Sequence, residues 1–223
     1  KDFINGSLFN SSSKLSYSIK FHKIESAAMN NEIFFEDDEL EVKAAPLKHR
    51  IPSFAYRVNQ KAKAGRFDID KATLLKIPPG PIYAALQRGE EIRLEDDRFF
   101  SGKDFCGPPR PGLSMVYCTD TVYTEAAIEI SRDADLLIHE STYAYKETEM
   151  AFQRGHSTAT MAAQIAAKAN VNKLILTHFS PRYTPGNQTS PNDLLNEAKA
   201  IFPNTQLAKD FLQIDLKKRC NSS

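Results

Sequence analysis

Apolar and polar positions change rhythm twice along this chain. Residues 1–16 are polar and rich in Ser and Asn, and they read as a loop. Residues 17–24 alternate apolar and polar like a half-buried strand, and Glu32–Glu36 and Glu39–Ala45 are strand-like in the same way. The acidic run from Glu36 to Glu39 between those two predicts a hairpin turn. Between about residues 60 and 105 no core rhythm is visible, so this stretch reads as an excursion from the main body. Within it, the prolines of Ile77–Tyr83 argue against both a helix and a central strand.

From residue 113 the pattern becomes that of alternating strands and helices. Met115–Cys118, Leu136–Ile138 and Leu174–Leu176 are short apolar strands. Thr121 or Thr124 can cap a helix whose apolar positions include Ala127, Ile128 and Ile130. Ser157 or Thr158 can cap an alanine-rich helix running to about Ala169. A last helix over about Pro191–Ile201 precedes an expected terminal strand near Phe211–Leu216. The alternation predicts a layered α/β fold, and no internal repeat is present.

Composition narrows this little. The 223 residues suffice for one domain, 41% are apolar, and the net charge is +1. Such a balance does not mark a nucleic-acid binder as a whole, so any such surface must be local. Residues 48–71 supply a candidate patch. Lys48, Arg50, Arg57, Lys61, Lys63, Arg66 and Lys71 face only Asp68 and Asp70, a net of +5. Cys106, Cys118 and Cys220 contain no C-x-x-C pair and are odd in number, which favours a reducing, cytoplasmic compartment over a disulfide framework. No apolar run reaches membrane-span length and no signal-peptide pattern is present. The chain opens on Lys1 rather than Met.

The chemistry lies at strand ends. Asp120, His139-Glu140 and His178 each follow an apolar strand, and His49 follows Val42–Leu47. Ligand crevices of open α/β sheets lie outside the carboxyl ends of the strands, and imidazole with carboxylate suits Zn²⁺ or Mn²⁺. A single His or Asp at such a place more often serves structure, and His22, inside an alternating strand, is read so. No H-E-x-x-H or H-x-H motif is present. The residues alone support an α/β protein with a candidate His/Asp metal site.

Six segments in order resemble a known family. They are Pro46–Arg57, Pro79–Tyr83, Tyr117–Thr121, Asp135–Thr142, Gly155–Thr158 and Leu176–Tyr183. Together they are similar to ribonuclease Z, the tRNA 3′-processing endonuclease of the metallo-β-lactamase superfamily. The resemblance runs from about residue 17 to the end. It implies an α/β, metallo-β-lactamase-like αββα sandwich, incomplete at its amino-terminal side, with a protruding flexible arm at about 60–105. It implies a Zn²⁺-dependent enzyme, with two ions per subunit in the intact protein, that removes the 3′ trailer of precursor tRNA as a homodimer. His49, Asp120 and His178 would be metal ligands, with Asp120 bridging. His156 would pair with Glu140 and give a proton to the leaving 3′ oxygen. Arg182 and Ser157 would face the phosphate, while Lys61, Lys63, Arg66, Gly80 and Pro81 would hold tRNA through the arm. His139 would be structural.

Two departures stand out. Arg50 replaces a glycine, and the family's His-x-His-x-Asp-His motif is absent. The expectation is therefore a fragment that does not cleave tRNA by itself and whose cleft is open on one side. Two rivals stay open: another metallo-β-lactamase-fold phosphodiesterase, and a non-catalytic tRNA-binding or dimerisation module.

Overall fold

A computed structural model describes residues 20, 24, 32–184 and 188–216. The expected strand at 17–24, His22 and Cys220 lie outside these residues, apart from Lys20 and Ile24.

The first described elements form an antiparallel meander of β1 (Glu32–Glu36), β2 (Leu40–Leu47) and β3 (Ser53–Gln60). The acidic turn between β1 and β2 has a local cause. The Asp37 carboxylate accepts from the backbone N–H of Glu39 at 2.8 Å and of Leu40 at 2.7 Å, which closes an Asx turn. β3 was not foreseen, because Arg57 and Asn59 break its apolar pattern. The structure shows why they are tolerated there. Arg57 donates to the carbonyls of Ile130 (3.0 Å) and Arg132 (2.6 Å), satisfying the end of a helix that packs on this sheet.

The chain then leaves the sheet. Helices α1 (Ile69–Leu74) and α2 (Pro81–Gln87) and the hairpin β4 (Glu91–Arg93) and β5 (Phe99–Ser101) gather around Ala72, Ile77, Leu86 and Phe105. The excursion thus has a small core of its own. Pro81 does not exclude a helix but starts one. It occupies the first turn, where a missing N–H costs nothing. The two arms of the neck touch at Gly112, where a Cβ would lie 1.6 Å from the carbonyl oxygen of Gln60.

β6 (Ser114–Cys118) returns antiparallel to β3. Helix α3 (Glu125–Ser131) leads to β7 (Leu136–Glu140). Helices α4 (Thr148–Arg154) and α5 (Ala159–Lys168) lead to β8 (Leu174–Thr177), and α6 (Pro191–Lys199) to β9 (Thr205–Leu207). β6 to β9 run parallel, giving a sheet ordered β1-β2-β3-β6-β7-β8-β9 among the described residues. Thr124 and Thr158 are the N-caps of α3 and α5, and Ser190 forms a capping box with Asp193 at α6.

The expected strand at 211–216 does not form. The position beside β8 is taken by β9, and Phe211 is left-handed (φ 61°) and 99% exposed. On one face of the sheet Ala45, Ala55, Val116, Leu137, Leu174 and Leu176 pack in the main core with Ala127, Ile130, Ile165 and Leu194 of the helices. Small alanines on both sides let the helices approach the sheet closely. Tyr56 and Tyr117, paired across β3 and β6 on the other face, stay 37% and 40% exposed.

Candidate metal centre

Every expected ligand sits where a strand has just ended. Asp120 follows β6, His178 follows β8 and His49 follows β2; of the expected catalytic pair, Glu140 closes β7 and His156 joins α4 to α5. Asp120 and His178 are both in the left-handed region, at φ 52° and 57°. Non-glycine residues rarely adopt that conformation, and it clusters where a site demands it. The turn swings each side chain back across the sheet end.

The result is a compact group. Asp120, His156 and His178 each offer a ligand atom, and these atoms all lie within 4.8 Å of one another. His178 Nε2 is 3.2 Å from Asp120 Oδ1, and His156 Nδ1 is 3.9 Å from it. The rings of His156 and His178 stack with centroids 5.3 Å apart. His49 stands beside this group rather than in it. Its ring is 4.9 Å from that of His156, and its Nδ1 donates to the Gly155 carbonyl at 2.7 Å.

Behind the group lies Glu140, fully buried. One carboxylate oxygen accepts from the Thr121 N–H (2.7 Å) and faces His156 Nδ1 (2.9 Å). The other accepts from the Thr142 hydroxyl (2.5 Å), whose oxygen is 2.9 Å from His178 Nδ1. Burial pushes the Glu140 carboxyl up, but the hydrogen bonds from His156, Thr142 and Thr121 outweigh it and hold it below the ordinary range. The bond to Glu140 raises His156 correspondingly, against its partial desolvation. His139 points to the other side of the strand. Burial lowers its pKa, its Nδ1 donates to the Glu140 carbonyl at 2.7 Å, and it takes no part in the group.

Asp120 Oδ1 is buried and has no hydrogen-bond partner among the described residues. An orphaned carboxylate oxygen beside an imidazole nitrogen is costly unless a cation joins them. Two donors bound tetrahedrally at about 2.0–2.1 Å from zinc would stand about 3.3 Å apart, close to the spacing seen. The residues fit a divalent metal.

The remaining candidates are placed as follows. Ser157 is fully buried and donates to the Thr121 carbonyl at 2.6 Å, so its hydroxyl braces the floor of the site instead of facing a phosphate. Arg182 lies over the Tyr143 ring and pairs with Glu147 at 2.6 Å. Lys61 and Lys63 pair with Glu36 and Glu39 at 2.7 and 3.6 Å, so the acidic turn offsets part of the basic patch. Arg66, Gly80 and Pro81 are exposed on the excursion. Thr142 and Gly155 were not singled out by sequence reasoning. A signal for Thr142 existed, since it follows Glu140 by two residues and so faces the same way in an extended chain.

A family profile described as "Beta-lactamase superfamily domain" matches residues 106–179. The chain is 82% identical over 218 residues to ribonuclease Z of Prochlorococcus marinus (strain NATL1A), covering 98% of this chain and 69% of that protein. This chain belongs to the ribonuclease Z family. Ribonuclease Z of Synechococcus sp. (strain CC9605) is 60% identical over 223 residues, covering all of this chain and 70% of the relative. Among solved structures, human tRNase Z, short form, is 25% identical with a TM-score of 0.49, covering 85% of this chain and 48% of that one. The sheet with helices on one face is the α/β, metallo-β-lactamase-like architecture of this ribonuclease Z family. No helix among its described residues is long and apolar enough to cross a membrane.

Proposed function

We propose that this chain carries the acid–base half and part of the metal site of a zinc-dependent endoribonuclease, which removes the 3′ trailer of precursor tRNA and leaves a 3′-hydroxyl on the tRNA. The observation that supports it is the convergence of Asp120, His156 and His178 at one sheet end, with Glu140 behind them. Asp120 and His178 would hold zinc, with His49 completing the set from the adjacent loop. Zinc, two ions per subunit in the intact enzyme, supplies positive charge against the charge that develops on the phosphodiester. Glu140 fixes the His156 ring by accepting from Nδ1–H, and so leaves Nε2 to carry the proton that the departing 3′ oxygen takes. The hydrogen bond to Glu140 raises the His156 pKa, which favours the protonated ring that a proton donor needs.

The excursion at about 60–105 would grip tRNA, with Arg66, Gly80 and Pro81 on its exposed surface and Lys61 and Lys63 at its base. Arg182 would reach a phosphate on leaving Glu147. The reading includes a cytoplasmic homodimer. Two ions with about three protein ligands each and one shared carboxylate need about five donor residues. The assigned set of His49, Asp120 and His178 falls short of that number, so the 223-residue chain by itself is expected not to cleave.

Gel-based cleavage of a 3′-extended tRNA tests the proposal. In the full-length protein, His156→Ala should lower turnover while RNA binding is kept, and Asp120→Ala should lose both bound zinc and cleavage. Full cleavage by Asp120→Ala would refute the assignment.

A further inference from the structure

One hydroxyl at this site has no freedom left. Thr142 is buried, and backbone bonds hold it beside the end of β8: Ser141 N–H donates to the Thr177 carbonyl at 2.9 Å and Ser180 N–H to the Thr142 carbonyl at 3.2 Å. Its Oγ1 lies 2.5 Å from Glu140 Oε2 and 2.9 Å from His178 Nδ1. A threonine hydroxyl has one hydrogen to give, and an ionised carboxylate can only accept. Glu140 is kept ionised by three further donors, the N–H groups of Thr121 and Thr142 and Nδ1 of His156. The Thr142 hydrogen is therefore committed to Glu140. Toward His178 the same oxygen can only accept, so His178 carries its proton on Nδ1.

Neutral imidazole has one N–H. With Nδ1 protonated, Nε2 holds a bare lone pair, and it faces Asp120 Oδ1 at 3.2 Å. Two acceptors in that position repel unless a cation lies between them. The competing tautomer would place the proton on Nε2 and donate it to Asp120. That bond would tie up both atoms and close the position to a metal.

We propose that Thr142 is a positioning residue: by relaying the Glu140 carboxylate to His178 Nδ1, it sets the tautomer that leaves Nε2 open toward Asp120. Glu140 thereby orders two imidazoles, His156 directly and His178 through Thr142. The consequence for metal binding rests on the reading of His178 as a ligand, whereas the tautomer itself does not. Partners that orient a metal-bound histidine in this way typically change metal affinity about 10–100-fold when removed.

The experiment uses the full-length protein labelled with ¹⁵N-histidine. Two-bond N–H correlation spectra are recorded on the metal-free form, at a pH where the rings are neutral. Wild type should show His178 protonated on Nδ1. Thr142→Val, which keeps the shape and deletes the hydroxyl, should move the proton to Nε2. It should also weaken zinc about 10–100-fold in competition with a chelator. Thr142→Ser should restore both. A wild-type His178 protonated on Nε2 overturns the proposal even if Thr142→Val does not fold. So does a Thr142→Val protein with an unchanged tautomer and zinc affinity within twofold of wild type. Precursor-tRNA cleavage is measured alongside. If cleavage is absent while the tautomer and zinc results hold, the proposed function fails and the role of Thr142 stands.

Discussion

Gly155 closes α4 in the left-handed conformation (φ 80°, ψ 29°), and its carbonyl receives the His49 Nδ1–H at 2.7 Å. A Cβ added there would lie 2.8 Å from His49 Nδ1 and 3.3 Å from its Cε1. Gly155→Ala therefore acts twice. Holding an L-residue in this conformation costs about 1–2 kcal/mol. Pushing His49 off its carbonyl loses a bond worth about 0.5–1.5 kcal/mol. The stiffer unfolded chain returns about 0.4–1 kcal/mol. Taken together, these leave a destabilisation of about 0.5–3 kcal/mol, or about 1–12 °C in Tm for a chain of this size. Urea unfolding with an unchanged slope measures it. A cycle with His49→Ala separates the two parts, since removing the ring should relieve only the clash. A Gly155→Ala protein as stable as wild type, or more stable, would refute the reasoning, because the two costs together exceed what the stiffer unfolded chain returns.

Three further outcomes follow from the same geometry. In the metal-free protein the Glu140–His156 pair should stabilise most between the two titrations. The depressed carboxyl contributes above its unfolded pKa of about 4.3 and loses that contribution as pH falls through the folded value. The raised imidazole contributes fully below about 6.5 and loses it as pH rises through its folded value. Urea stability against pH should show both limbs, and Glu140→Gln should flatten them. The thiol of Cys118, pushed up to about 12 by burial, should resist a maleimide in the native state, while the half-buried Cys106 reacts, as mass spectrometry of modified peptides would show. Neutralising Arg66, which forms no ion pair among the described residues, should weaken tRNA binding and flatten its salt slope more than neutralising Lys61 or Lys63, since acidic partners already screen those two.

Much of the fold could be read along the chain because its signals are local. The Asp37 turn, the Thr124 and Thr158 caps and the apolar strands at 115–118, 136–138 and 174–176 depend on neighbours a few residues away. The misses share one cause, a distant partner that reverses a local preference. β3 carries Arg57 because α3 offers its terminal carbonyls. Pro81 opens a helix because the residues around it find a core of their own. The strand expected at 211–216 loses its place to β9, which reaches the edge of β8 first.

The sequence by itself determined the kinds of chemical group present and their attachment to strand ends: Asp120, Glu140 and His178 each close an apolar run, and His156 sits at a helix junction. Only the tertiary structure decided how those groups face one another. Charge on residues 48–71 counted as +5 along the chain, but the hairpin turn brings Glu36 and Glu39 against Lys61 and Lys63. The family resemblance sets His49 among the expected ligands, whereas the fold places it beside the Asp120–His156–His178 group and binds it to Gly155. Ser157 turns beneath the site, and Thr142 joins Glu140 to His178. Hydrogen bonds and ion pairs act over about 3–4 Å between atoms, and separations along the chain of 36 residues, as between Thr142 and His178, carry no such distances until the sheet has formed.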